Sequence, residues 1–166
     1  MASDAITMLK AEHRDIRRLF REFRRTTDRA VKTRAKLVGQ IIELLTVHTY
    51  VENEVLYPSV RELLPELEEE MLESYEEHHV ADVLCVELAA MSPDNDHFEA
   101  KTVVLIETVS HHIQEEEGER FPKIRAGLSR TQLLQLGAMV EQARRQAPTS
   151  PAQPSAVKKV VDAVIS

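Results

Sequence analysis

The sequence is poor in residues that interrupt helices or support small disulfide-linked domains. Its 166 residues include four glycines, one cysteine and no tryptophan. Cys85 has no partner for an internal disulfide, and a cysteine-rich zinc site is excluded. No strand-like alternation of apolar and polar residues is evident, whereas Leu, Glu, Arg and Ala are abundant. The sequence therefore predicts an all-α fold.

Long apolar runs are also missing. No stretch approaches 18 apolar residues, and the N-terminal MASDAITMLKAEH lacks the apolar core of a signal peptide. We therefore expect no signal peptide, no membrane contact and a cytoplasmic location. The chain is long enough for one domain with a buried core.

Charge argues against a general nucleic-acid binder, because the net charge is −7 with neutral histidine. One basic region stands apart in the first predicted helix. We interpret it as a solvated face that pairs with acidic residues 66–70 or 115–119, in preference to a nucleic-acid patch. Its members are Arg14, Arg17, Arg18, Arg21, Arg24 and Arg25.

Apolar residues recur at helical spacing in four long segments joined by short connections. This pattern predicts an up-down-up-down four-helix bundle. Ser3 is the expected N-cap of the first helix, and Tyr57-Pro58 and Phe121-Pro122 are expected to end the second and fourth. The predicted helices cover about residues 3–27, 30–56, 67–91 and 96–119.

A short fifth helix is predicted after Ser129, a suitable N-cap. The following segment, APTSPAQPSA, is rich in Pro, Ser and Ala, which predicts an extended or disordered linker. The last ten residues, VKKVVDAVIS, are expected to form a short amphipathic turn of helix. The predicted organisation is a bundle with its fifth helix over residues 1–146, and a linker and tail over residues 147–166.

The chain carries an internal repeat of polar motifs. HTYVENEVLYP starts at His48 and HIQEEEGERFP starts at His112, an offset (112 − 48) of 64 residues. An E-H pair ends at His13 and again at His78, an offset (78 − 13) of 65 residues. Two helical hairpins thus carry the same polar residues, and a pseudo-twofold axis would bring the two sets together.

These polar residues fall on the apolar faces of their helices. Any one of them alone would be interpreted as a satisfied core histidine or a flanking glutamate. Six such buried groups, which occur as two matching sets, need a compensating charge, and a metal ion supplies it. The i, i+4 spacing of His and Glu places both side chains on one helix face, where both can reach the metal. The predicted ligands are His13, His48, Glu52, His78, His112 and Glu116.

Imidazole and carboxylate ligands suit iron, manganese or zinc. Four imidazoles and two bridging carboxylates suit a dinuclear centre, with room for an oxo or hydroxo bridge and for exogenous ligands. Iron is the preferred assignment. The remaining histidines point elsewhere: His79 and His111 lie off the apolar stripes, and His97 is expected to be solvated.

At these motifs the chain resembles the hemerythrin-like, or HHE cation-binding, family over about residues 4–126. The resemblance implies a four-helix bundle around a non-haem di-iron site with the six ligands above. The chain departs from the oxygen-carrying members, which have a histidine where this sequence has Ser74 and HxxxxD where it has HxxxE. Tyr75, one turn from His78, is expected to be a packing residue in preference to a ligand or its hydrogen-bond donor.

The loss of a ligand at Ser74 makes the predicted site more open than that of the carriers. We therefore expect a di-iron protein that binds or reduces oxygen, hydrogen peroxide or nitric oxide, with peroxidase- or catalase-like or nitric-oxide-reactive activity as the possible enzymatic role. The alternatives are an iron or oxygen sensor that signals through its C-terminal region, and a structural bundle with buried polar pairs.

Overall fold

The computed structural model describes residues 2–151, which form helices and no strand. Two π-helical segments, Glu52–Leu56 and Glu116–Arg120, join α2 to α3 and α5 to α6 without a break. The chain thus forms four long rods, namely α1, α2–α3, α4 and α5–α6, followed by α7. This confirms the predicted all-α bundle with a fifth helix. The helices are α1 Ala5–Arg24, α2 Val31–Val51, α3 Tyr57–Leu63, α4 Glu68–Ala90, α5 Phe98–Glu115, α6 Phe121–Gly127 and α7 Arg130–Gln146.

Side-chain caps fix where the first and last helices begin. Asp4, one residue after the expected Ser3, caps α1 by accepting a hydrogen bond from the Thr7 backbone N–H at 2.9 Å. Ser129 caps α7 as predicted, and Gln132 completes a capping box with it. The predicted tail over residues 157–166 and residues 152–156 of the predicted linker lie outside the described residues.

The two aromatic-Pro pairs do not end their helices, so that part of the prediction was wrong. Pro58 and Pro122 stand in the first turns of α3 and α6, where a missing N–H costs little. Each follows a π-helical turn, in which the Tyr57 N–H reaches the Glu52 carbonyl and the Phe121 N–H that of Glu116. This change in hydrogen-bond pattern lets each helix continue for seven residues past the π segment.

Two apolar clusters fill the bundle on either side of a polar layer. One surrounds Leu9, Leu56 and the apolar face of α7. The other surrounds Ile16, Ile41 and the facing residues of α4 and α5. The predicted metal ligands belong to the layer between them, so apolar side chains shield that layer from both ends.

Helix α7 packs tightly on the start of α1. Gly137 makes this approach possible, because a Cβ at that position would clash with the carbonyl oxygen of Ser3. Within residues 2–151, no helix combines the length and apolar character needed to cross a bilayer.

Candidate metal centre

All six predicted ligand side chains lie inside the bundle. None is more than 4% exposed, although each carries a titratable group. Burial of such groups is costly unless another charge or a hydrogen bond compensates. They come from four rods: His13 from α1, His48 and Glu52 from α2–α3, His78 from α4, and His112 and Glu116 from α5–α6.

The ligand atoms fall into two adjoining groups. The His13 group consists of His13, His48, Glu52 and Glu116, whose ligand atoms lie within 4.8 Å of one another. In it, Nε2 of His13 lies 3.2 Å from Nε2 of His48 and 3.3 Å from Oε2 of Glu116.

The second, or His78, group consists of His78, His112 and Glu52, also within 4.8 Å. Its two imidazoles approach to 3.0 Å between their Nε2 atoms. Glu52 belongs to both groups, and Glu116 reaches both, since its Oε1 lies 3.4 Å from Nε2 of His112. The two carboxylates thus lie between the two groups, within reach of the imidazoles of both.

All four histidines point Nε2 inward and hold Nδ1 in a hydrogen bond. The acceptors are carboxylate or amide oxygens, which accept a hydrogen bond from Nδ1–H and leave the Nε2 lone pair free for a metal. The acceptors repeat with the hairpins: two precede His13 and His78 in the chain, and two follow Glu52 and Glu116. The pairs are His13–Glu117 at 2.9 Å, His48–Glu12 at 2.6 Å, His78–Asn53 at 2.8 Å and His112–Glu77.

Each acceptor carboxylate also contacts an arginine. Such charged pairs hold the carboxylate in one orientation and offset its negative charge. The fourth acceptor, Asn53, is neutral and has no arginine among its hydrogen-bond partners in the described chain. The pairs are Glu117–Arg17 at 3.0 Å, Glu77–Arg120 at 2.9 Å and Glu12–Arg144 at 2.8 Å.

The residues fit a metal on two independent observations. Both carboxylate oxygens of Glu52 and Oε2 of Glu116 are buried without a hydrogen bond, which is costly for a carboxylate. The Nε2···Nε2 separations of 3.2 and 3.0 Å also match two nitrogens that share one ion at about 2.1 Å, which stand about 3.0–3.4 Å apart.

Without a metal, protons must supply part of the missing charge. Burial disfavours the charged form of His112, but the carboxylates of Glu116 and Glu77 outweigh burial and raise its pKa to about 10. Burial and the neighbouring His112 instead depress the pKa of His78. Burial and the nearby Glu116 raise the pKa of Glu52. The polar layer therefore keeps the His112 imidazole protonated beside its carboxylates.

Tyr57 is a residue of the site that sequence reasoning missed. Its hydroxyl donates to Oε1 of Glu116 at 2.7 Å and lies 3.1 Å from Nε2 of His78 and 3.4 Å from that of His112. On a regular α-helix Tyr57 would stand about 180° from His48, on the opposite face. The π segment turns it back, because residues five apart lie above one another there.

The repeat also has a counterpart of Tyr57 at Phe121, 64 residues later (121 − 57). The Phe121 ring stacks on His13, with ring centroids 5.6 Å apart. The His78 group therefore faces a hydroxyl where the His13 group faces an apolar ring. The aromatic-Pro repeat at equal offsets was the signal in the sequence that could have identified both residues.

The other side chains considered from the sequence lie outside the two groups. The Ser74 hydroxyl donates to the Glu70 carbonyl at 2.9 Å. Tyr75 packs its ring against Tyr57 and donates to the Asn53 carbonyl at 3.3 Å. His111 is exposed beside Glu115, His97 is exposed, and His79 is half-buried on the outer side of α4.

The model of the hemerythrin HHE cation binding domain matches residues 4–124. The chain belongs to this family. An uncharacterized hemerythrin-like protein of Schizosaccharomyces pombe is 27% identical over 158 residues, which cover 95% of this chain and 75% of that protein. The buried His and Glu clusters are thus the groups of this HHE domain that could hold cations.

Two further proteins are similar to this chain. A DNA nickase of Nostoc sp. is 31% identical over 125 residues, covering 75% of this chain but spanning only 34% of the nickase. The crystal structure of a hemerythrin HHE cation binding domain-containing protein of Mycobacterium kansasii superposes with a TM-score of 0.69 at 20% identity. That alignment covers 87% of this chain and 89% of the mycobacterial one, and it supports the fold.

Proposed function

We propose that this HHE protein holds two non-haem iron ions and binds or reduces a small oxidant such as oxygen, hydrogen peroxide or nitric oxide. The observation that carries the proposal is the convergence of four inward Nε2 atoms on two buried carboxylates that reach both groups. The ligands proposed are the six predicted ones. A mixed imidazole and carboxylate set favours iron, with manganese or zinc as the less expected occupants.

The bound pair of ions would supply electrons and open coordination positions for the oxidant. The protein's own residues restrict what can reach those positions. A cavity beside His48, His78 and His112 offers a water-sized molecule about 10 Å³ of free space. Leu45, Ala81, Val109 and Ile113 supply most of its apolar lining, and Thr49, Thr108 and Glu77 also line it. This room is about that of one water molecule, which supports a ligand of very few atoms.

Tyr57 places a neutral hydroxyl donor beside the six proposed ligands. Burial and the nearby Glu116 carboxylate raise its pKa well above the ordinary tyrosine value, so the hydroxyl stays protonated. It can therefore donate a hydrogen bond at the His78 group, while Phe121 offers none at the His13 group. This difference supports the His78 group as the side where an oxidant is bound or protonated.

Metal analysis tests the proposal directly. Purified wild-type protein loaded with Fe(II) should retain two iron ions per chain, show an oxo-bridged di-iron absorption after oxidation, and respond to peroxide or nitric oxide. His48→Ala and Glu116→Ala should lose iron, whereas His111→Ala, an exposed control on the same helix as His112, should not. Iron-loaded protein whose spectrum none of the three oxidants perturbs would exclude the proposed reactivity.

We further propose that the partners are small molecules and not nucleic acid. The net charge is −7, and Arg17 and Arg18 of the arginine-rich α1 lie in ion pairs with Glu117 and Glu22. The activity named for the Nostoc relative belongs to a much longer protein. Nicking of supercoiled plasmid by the iron-loaded chain, abolished in His48→Ala, would contradict this expectation.

A second candidate is a sensor that passes the state of the irons to its C-terminal region. The contact between Arg144 on α7 and Glu12, the partner of His48, favours it. Limited proteolysis after residue 146 should then change on iron loading. Identical cleavage of the loaded and iron-free proteins would exclude this role.

A further inference from the structure

We propose that α7 is part of the metal centre and that Arg144 is a positioning residue for the His13 group. This inference rests on the proposed iron site and adds a residue outside the four-helix bundle to it. The geometry consists of one carboxylate, that of Glu12, held between the ligand His48 and the guanidinium of Arg144.

The contact is specific in its geometry. Arg144 places Nε at 2.9 Å and a terminal nitrogen at 2.8 Å from Oε1 of Glu12. The other carboxylate oxygen, Oε2, accepts from Nδ1 of His48 at 2.6 Å. Arg144 also contacts Glu141 of its own helix at 2.9 Å, which fixes the guanidinium from the other side.

The carboxylate end of this contact is more buried than the guanidinium, which is 35% exposed. The Glu12 side chain is only 11% exposed, so solvent screens it less than a surface carboxylate. Without Arg144, the negative charge of Glu12 would remain largely buried beside the imidazole and lose its fixed orientation. His48 would then be free to rotate away from the geometry that points Nε2 at Glu52.

The register of α7 is fixed independently of this ion pair. Leu136 and Val140 belong to the apolar cluster at this end of the bundle, and Gly137 sits against the Ser3 backbone. Arg144 lies two turns beyond Gly137, at the position where the helix passes Glu12. The corresponding arginines of the other carboxylates, Arg17 and Arg120, come from the bundle itself.

This arrangement makes a position-specific prediction. Arg144→Met should weaken the binding of one of two Fe(II) ions about 10-fold, because changes in the shell around metal ligands typically cost 10- to 100-fold in affinity. Arg145→Met is the matched control, since Arg145 is 76% exposed and its one ion pair within residues 2–151 is with Glu141, at 3.7 Å. Arg144→Lys should recover part of the lost affinity, because lysine restores the positive charge but not the paired N–H donors of the guanidinium.

The experiment is an anaerobic competition between each full-length variant and a colorimetric Fe(II) chelator, with the optical spectrum of the oxidised protein as a second readout. Support requires one weakened iron in Arg144→Met, an altered spectrum, wild-type behaviour of Arg145→Met and partial rescue by lysine. Equal affinities in Arg144→Met and Arg145→Met would overturn the inference.

A purely structural role gives a different result. In that case Arg144→Met would lower the thermal stability of the iron-free protein and weaken both irons equally, and lysine would not restore the spectrum; this outcome also overturns the inference. Wild-type protein that binds no iron would instead reject the proposed function itself, so the two failures are distinguishable.

Discussion

The hydroxyl of Tyr57 donates a 2.7 Å hydrogen bond to Oε1 of Glu116, which joins the second rod of the bundle to the fourth inside the polar layer. The bond satisfies one oxygen of a carboxylate whose other oxygen has no hydrogen bond. Through it, a residue from one hairpin fixes a predicted ligand of the other.

Removal of this hydroxyl should destabilise the metal-free protein. Tyr57→Phe leaves a buried carboxylate without its donor, and we expect the free energy of unfolding to fall by about 2 kcal/mol. Tyr75→Phe is the matched control, because its hydroxyl makes only a 3.3 Å contact with a backbone carbonyl. Urea unfolding of both variants checks the prediction, and equal losses would contradict it.

Metal uptake should depend on pH well above the range of an ordinary histidine site. The pKa of His112 is raised to about 10, so this imidazole is protonated at pH 7 and must release its proton to bind a metal. The affinity for a divalent metal should therefore keep rising between pH 6 and 8.5 instead of reaching a plateau near pH 6.5. Mn(II) titrations at several pH values measure this.

Glu77 supplies part of the charge that holds the His112 proton, so it provides the companion variant for that titration. Glu77→Gln should lower the pKa of His112 and bring the plateau in affinity to lower pH. A plateau near pH 6.5 in the wild type, or an unchanged pH profile in Glu77→Gln, would show that the His112 proton does not oppose binding.

Gly137 and Gly39 should respond oppositely to alanine. Gly137→Ala forces a Cβ against the Ser3 carbonyl, and we expect a loss of about 1–3 kcal/mol as α7 is pushed off α1. Gly39 lies within α2 with open space around it, so Gly39→Ala should stabilise by about 0.5–1 kcal/mol. Thermal unfolding compares the two, and a stabilising Gly137→Ala would refute the close packing.

Asp82 should make the protein less stable as pH rises from about 4 to 6. Burial raises its pKa from 3.8 to about 6, so within this window the folded state keeps a proton that the unfolded state has lost. Ionisation then costs on the order of 1–3 kcal/mol of stability. Asp82→Asn should abolish this fall in the free energy of unfolding between pH 4 and 6, whereas Asp15→Asn, at an exposed position, should leave it unchanged.

The sequence predicts the four rods because their apolar stripes and short connections leave few other arrangements. It also identifies the inward-facing residues, since straight helical geometry holds from His13 to Ile16 and from His48 to Glu52. That geometry fails after Glu52 and Glu116, where the π segments begin. Straight helical geometry would therefore place Tyr57 on the wrong face, and Tyr57-Pro58 was interpreted as a helix end.

Contacts between elements were harder to anticipate. The duplicated Glu12 and Glu77 precede two of the predicted ligand histidines, but each pairs with the histidine of a neighbouring rod and not with the one that follows it in the chain. The approach of Arg144 to Glu12 joins residues 132 positions apart, and it depends on the docking of α7 through Gly137. Periodicity within one helix carries no information about such pairings.

The two π segments preserve the internal symmetry of the polar layer. A π-helical turn takes in one residue more than an α-helical turn. The segments begin 64 residues apart (116 − 52), the offset that also separates His48 from His112. Because both rods take in the extra residue at the same place, Tyr57 and Phe121 occupy corresponding positions, and the two halves of the layer differ there by a single hydroxyl.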